Sequence, residues 1–302
     1  MTARFGGALL LLLFCSPASA AEVPPLDRVP LRYHPPTLLV EVRVNRSRPI
    51  LFAFDTGSTL TLMDSALIRR LRIPVSGSQR GREPDSVSVK TLAIGKAQVQ
   101  DLEVRVQDLS PLARRLGVEL GGILGFDWMK EFVFEIDPQT GTLSLWPQAI
   151  ELTPRADQLP VPLELVALTN SSGATLFVRA KLEGEVVCKM EIDTGAGSGV
   201  LGRAIAEHLG ANLTQASQEE LLTLAGPVRL PRHRVTHLEL AGRTFSNITF
   251  FVHPERGRSG NPYDQCVLGN EQLRAFALTL DIPRRRAFFR PLLPEPFPPP
   301  EK

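Results

Sequence analysis

The tripeptide Asp-Thr-Gly occurs twice, at Asp55-Thr56-Gly57 and Asp193-Thr194-Gly195, and each copy follows a short apolar run. The segments Leu51-Phe52-Ala53-Phe54 and Val186-Val187-Cys188-Lys189-Met190-Glu191-Ile192 read as strands that end at the Asp. The Gly that follows permits a sharp turn, so each carboxylate is expected at a strand end rather than inside a ladder. A chain built this way can bring two carboxylates face to face.

The repeat extends well beyond the tripeptide. Downstream of each Asp lies an apolar pair followed by Gly, Ile123-Leu124-Gly125 in the first half and Val267-Leu268-Gly269 in the second. From there Gly125 to Asp137 aligns without a gap on Gly269 to Asp281, matching an acidic, an apolar and a basic position, a Phe and a final Asp. Both copies read as a short helix and then an alternating strand. Upstream, a hairpin precedes each Asp: Thr37 to Val44 with a turn at Asn45 to Pro49, and Thr175 to Leu182 with a turn at Glu183-Gly184-Glu185. Short helical segments are expected after each Asp, over Asp64 to Leu71 and Gly202 to Leu209, with further alternating runs between them and the apolar-apolar-Gly strands.

This internal duplication resembles the aspartic peptidases, specifically the retropepsin-like kind found as secreted bacterial proteins with two fused lobes. The resemblance implies an all-β fold of two homologous lobes related by a pseudo-two-fold axis, with the active-site cleft between them. It divides the chain into a lead-in at 21–36, a first lobe at 37–147, a linker at 148–165, a second lobe at 166–292 and a Pro-rich tail at 293–302. With 26 Pro, 23 Gly and many short alternating runs in 302 residues, the composition agrees with a turn-rich β protein. A formal net charge of +2 with dispersed basic residues gives no electrostatic case for nucleic acid or membrane partners.

The resemblance assigns peptide hydrolysis to Asp55 and Asp193, acting on a water held between them with no metal or other cofactor, and a peptide or protein as substrate. Thr56 and Thr194 would lock the two loops across the lobe interface, and Gly57 and Gly195 would let substrate backbone approach. Ser58 would donate to the Asp55 carboxylate while Ala196 offers Asp193 no such donor, which makes Asp55 the more acidic of the two. Flap hairpins are expected at Ser76 to Lys90, including Gly81, and at Gln218 to Pro231, including Gly226. One chain supplies both halves, so a monomer is expected.

Arg4, the apolar run Ala8 to Phe14 and Ala18-Ser19-Ala20 read as a secretory signal peptide at 1–20, which implies an exported, periplasmic or extracellular protein. Cys188 and Cys266 then remain in an oxidising compartment. Because the resembled fold runs their strands side by side, a disulfide between them is expected; the alternative is two buried free thiols. The Asn-X-Ser/Thr triplets at Asn45, Asn170, Asn212 and Asn247 carry meaning only in a eukaryotic source. A subtilisin-like serine peptidase would need His-Gly-Thr and Gly-Thr-Ser tripeptides, and neither is present. The rival of another class is a catalytically silent exported protein that binds a peptide or partner in the same cleft. Trp128 and Phe132 read as core.

Overall fold

A computed structural model describes residues 23–74, 85–167, 173–213, 216–223, 226–253 and 266–292. Lobe one runs β1 (Asp27–His34), β2 (Thr37–Val44), β3 (Ile50–Phe54), β4 (Leu62–Asp64), α1 (Ser65–Leu71), β5 (Ser86–Ile94), β6 (Ala97–Gln107), α2 (Ser110–Leu116), β7 (Leu120–Leu124), α3 (Phe126–Met129), β8 (Phe132–Asp137) and β9 (Thr142–Pro147). After β10 (Leu159–Pro162), lobe two runs β11 (Glu164–Ala167), β12 (Ala174–Leu182), β13 (Val186–Ile192), β14 (Val200–Gly202), α4 (Arg203–His208), β15 (Gln218–Thr223), β16 (Gly226–Leu240), β17 (Arg243–His253), β18 (Cys266–Leu268), α5 (Asn270–Leu273), β19 (Phe276–Asp281) and β20 (Arg286–Pro291).

The strand that leads to each Asp pairs in parallel with the strand that carries the apolar pair, β3 with β7 and β13 with β18. Each apolar-pair strand also pairs antiparallel with the short strand beyond the Asp, β7 with β4 and β18 with β14. The two lobes therefore share one plan. Alternate residues of β3 separate the environments: Phe52 and Phe54 enter the main core, whereas Leu51 and Ala53 join a second cluster capped by α2. Phe54 meets Phe134 edge to face at 5.3 Å. Trp128 is fully buried, stacks on Phe132 at 4.6 Å and donates its indole N–H to Leu92 O, so the reading of both as core residues holds.

The lobes join through one sheet ordered β10-β20-β19-β8-β9-β1, in which β8 and β19 pair antiparallel with Phe134 opposite Leu280 and Ile136 opposite Leu278. Its polar partners are satisfied across the seam. The buried Glu135 carboxylate accepts from Thr279 Oγ1 (3.0 Å), Gln158 Nε2 (3.2 Å) and Arg155 (2.6 Å), and Arg290 pairs with Asp137 at 2.9 Å, while within lobe two Arg286 pairs with Asp281 at 2.6 Å.

Three regions differ from the sequence expectation. The 21–36 lead-in contains β1, which pairs with β9 over Asp27 to Pro30 and with β2 over Leu31 to His34. The 148–165 linker contains β10 and the start of β11, and β10 pairs with β20 at the edge of the shared sheet. The disulfide is absent: Cys188 and Cys266 are both buried as thiols. Register explains why, since Cys266 lies opposite Met190, two residues along from Cys188. A stagger of two residues across one strand spacing puts the two Cα atoms roughly 8 Å apart, beyond disulfide reach. Among the described residues, no helix is long and apolar enough to cross a membrane.

Candidate active site

Each Asp is placed by its strand pairing. Asp55 N donates to Leu124 O at 3.2 Å and Asp193 N donates to Leu268 O at 3.1 Å, fixing both residues where β3 and β13 end. The chain then turns back on the carboxylate: Gly57 N and Ser58 N donate to Asp55 Oδ1 at 2.9 and 3.2 Å, and Gly195 N and Ala196 N donate to Asp193 Oδ1 at 2.9 and 3.1 Å. Gly125 and Gly269 are required because their strands run directly against these loops. A Cβ on Gly269 would lie 2.6 Å from Ser198 backbone, and one on Gly125 would strike the Leu60 backbone.

The lobes interlock through the threonines. Thr56 N donates to Thr194 Oγ1 at 3.0 Å and Thr194 N donates to Thr56 Oγ1 at 3.1 Å. Each hydroxyl in turn donates at 2.7 Å to a carbonyl of the opposite lobe, Thr56 to Ile192 O and Thr194 to Phe54 O. Gly57 and Gly195 complete the juxtaposition, because each faces the other lobe's carboxylate. A Cβ at Gly57 would stand 2.5 Å from Asp193 Cγ, and one at Gly195 would meet Asp55 Cγ more closely still.

Asp55 is buried, at 6% exposure, and hydrogen-bonds the Asp193 side chain. Burial first, then the Asp193 charge and their mutual hydrogen bond, push the Asp55 carboxyl well above the usual carboxylate range; the N–H groups of Gly57 and Ser58 oppose this only in part. The two carboxyls form a coupled pair able to hold one proton between them.

One sequence expectation fails here. The Ser58 hydroxyl donates to Leu60 O at 2.8 Å and not to Asp55. What reaches Asp55 is the Ser58 N–H, and Ala196 supplies the same N–H to Asp193. Ser58 therefore brings no hydroxyl donor to Asp55, whose carboxyl is raised by burial. Of the expected flap residues, Gly81 lies outside the described residues, whereas Gly226 opens β16 in the β15–β16 hairpin.

A model of the family described as aspartyl protease matches residues 40–128 and again residues 178–271. The chain belongs to the aspartyl protease family. Each match contains one Asp-Thr-Gly and its apolar-apolar-Gly partner. Among solved structures it is similar to a retropepsin-like aspartic protease from Rickettsia conorii, at 21% identity over 44% of this chain and 93% of that one, with a TM-score of 0.32. A search of curated proteins gave no match.

Sequence reasoning missed the supports behind this aspartyl protease site, which differ between lobes. In lobe one, Thr61 Oγ1 accepts from Gly125 N at 3.2 Å and donates to Asp127 Oδ1 at 2.6 Å. In lobe two the Gln272 side-chain oxygen accepts from Gly269 N, also at 3.2 Å. Asn270 replaces Phe126 of the aligned repeat, and its amide donates to Pro36 O at 2.7 Å and Thr194 O at 2.9 Å, tying the β1–β2 turn of lobe one to the Asp193 loop. The break in the repeat at Phe126 and Asn270 was the available signal.

Proposed function

We infer that this aspartyl protease family member is an active aspartic endopeptidase that cleaves peptide bonds through Asp55 and Asp193. The hydrogen bond between the two carboxyls, with Asp55 raised by burial and by its partner's charge, carries the reading. Two carboxyls that hydrogen-bond each other share one proton, which supplies an acid and a base at the same place. The ionised member takes a proton from water as the water oxygen bonds to the scissile carbonyl carbon, and the protonated member gives its proton to the carbonyl oxygen. Collapse of the resulting gem-diol breaks the C–N bond, one hydroxyl proton returns to the pair, and the leaving nitrogen is protonated. No covalent bond to the enzyme forms.

Gly57 and Gly195 leave room for this chemistry, and the threonine interlock holds both loops within the narrow geometric tolerance that proton transfer demands. The substrate is a peptide or protein whose backbone lies along the cleft. Export, proposed from the apolar N-terminal segment, concerns residues outside those described.

The test is hydrolysis of a diverse peptide library from acid to neutral pH by the purified chain, set beside Asp55→Asn and Asp193→Asn. Cleavage abolished in both variants, with the fold retained, is the expected result. Substantial hydrolysis in either one would remove the pair as the seat of catalysis.

A further inference from the structure

The β15–β16 hairpin of lobe two carries a polar group that the carboxyl pair does not use. Glu219 lies opposite Leu230 and Leu221 opposite Val228, so these four side chains share one face of the hairpin, joined by Arg232 two positions beyond Leu230. That face closes on the chain beyond Asp193. Leu230 packs with Val200, Phe251 and Val267, and Ala196 and Leu221 lie against the same cluster. Ala196 is the residue whose N–H holds the Asp193 carboxylate, so the apolar floor starts at the candidate catalytic pair. Toward the hairpin tip Val228 is exposed and Leu221 half-buried, which leaves apolar surface for a ligand.

The other end of the floor is charged. The Arg232 guanidinium lies over the Phe251 ring, 5.2 Å from its centroid, and one terminal nitrogen donates to Glu219 at 2.7 Å. Its Nε is buried and donates to nothing among the described residues. Nε and the remaining terminal nitrogen form the guanidinium edge that matches a carboxylate with two parallel hydrogen bonds. Lobe one is built differently at the aligned place. There Leu62 and Ile123 lie beneath α2, against Leu112, Ala113 and Leu116, and Arg105 takes the pairing position that Phe251 holds in lobe two.

We propose that the underside of the β15–β16 hairpin is a substrate subsite selective for an acidic side chain, whose methylenes rest on Leu230 and Val200 and whose carboxylate accepts from the free edge of Arg232. The proposal rests on the reading of the cleft as a peptide site and adds a substrate class to it. Glu219 takes one terminal nitrogen of the arginine and leaves Nε without a partner among the described residues.

Peptides of one sequence, carrying Glu or Gln at each position in turn, separate the possibilities. They are measured as kcat/KM with the intact chain and as Kd with Asp55→Asn, at a pH above the usual carboxylate range. At one position Glu is expected to exceed Gln by about tenfold or more in both measures, as for a charge-assisted hydrogen bond. Arg232→Gln should bring that ratio close to one. Arg232→Lys, which keeps the charge but loses the planar edge, should lower the ratio without abolishing it, and added salt should narrow it in the unsubstituted chain. A merely structural arginine would change overall activity and leave the ratio where it was. Equal use of Glu and Gln at every position, or a preference that survives Arg232→Gln, overturns the subsite. Peptides cut without preference sink the subsite and leave the peptidase reading standing; peptides bound with preference but never cut do the reverse.

Discussion

Thr56 and Thr194 each hold the strand of the opposite lobe: Thr56 Oγ1 donates to Ile192 O and Thr194 Oγ1 donates to Phe54 O, both at 2.7 Å, while each hydroxyl accepts the other residue's N–H. Ile192 and Phe54 are the residues just before Asp193 and Asp55. The interlock therefore sets the spacing of the two carboxyls directly. Thr56→Val keeps the shape but leaves Ile192 O and Thr194 N unpaired in a buried interface. A loss of about 2 to 5 kcal/mol in unfolding free energy is expected, with a fall in kcat larger than the change in KM. Thr56→Ser retains the hydroxyl and should restore most of both. Denaturant unfolding and steady-state kinetics on the three proteins check this; a Val variant as active as the Ser variant would show that the hydroxyl is dispensable.

Gly57 and Gly195 present a second constraint across the same interface. Because a Cβ at Gly57 would stand 2.5 Å from Asp193 Cγ, Gly57→Ala must push the Asp193 carboxyl away or part the lobes. A displacement near 1 Å at reacting groups costs on the order of 100-fold in rate. Gly195→Ala should behave alike through Asp55. Peptide hydrolysis rates test both, with the circular dichroism spectrum as a check on the fold. Rates within a few-fold of the unsubstituted chain would mean that the carboxyls tolerate movement.

The raised Asp55 carboxyl makes two pH predictions with a definite sign. A folded-state pKa above the unfolded value contributes stability that is present below the unfolded value and lost as pH rises through the folded one. Asp55→Asn removes this penalty, so its melting temperature should exceed that of the unsubstituted chain at about pH 7 and converge on it near about pH 3. If the pair works as proposed, activity depends on the shared proton and should fall on the alkaline side only at a pH above the usual carboxylate range. Thermal unfolding across pH decides the first point. An Asn variant less stable at neutral pH would contradict the burial of a costly charge.

What could be read in the sequence follows physical lines. The strands β2, β3, β12 and β13 and the helices α1 and α4 were legible from period-two and helical patterning, and both Asp-Thr-Gly loops from the repeat. β1 and β10 were not, because prolines crowd them. Pro30 stands where β1 leaves β9 for β2, and the prolines of β10 occupy an edge strand, where missing N–H donors cost little. α2 was missed although it carries its signals openly, with Pro111 in its first turn and Gly117 in the left-handed conformation at its end (φ 66°). The disulfide and the Ser58 donor failed for a different reason. Strand adjacency and residue type gave no register and no rotamer, and a two-residue stagger or a turn toward Leu60 O decided each case.

Asp127 tests whether support behind the strand matters as much as the interlock in front. Its Oδ1 accepts from Thr61 N at 2.9 Å, Thr61 Oγ1 at 2.6 Å and Trp128 N at 2.9 Å, while its buried Oδ2 has no partner among the described residues. Burial raises its carboxyl, with the Thr61 and Trp128 hydrogen bonds working against the rise. Thr61 Oγ1 also receives Gly125 N, next to the Leu124 carbonyl that accepts from Asp55 N, so the support reaches Asp55 through Thr61 and β7. Asp127→Ala strands three donors and should cost about 2 to 4 kcal/mol, with reduced hydrolysis. Asp127→Asn keeps an acceptor for them and removes the buried charge. Its stability relative to the unsubstituted chain should therefore improve as pH rises from about 3 to about 7, the sign expected for a raised folded-state pKa. Denaturant unfolding of both variants at the two pH values measures the difference. If Asn proves as damaging as Ala at neutral pH, the charge itself is needed and the acceptor role assigned to Oδ1 is insufficient.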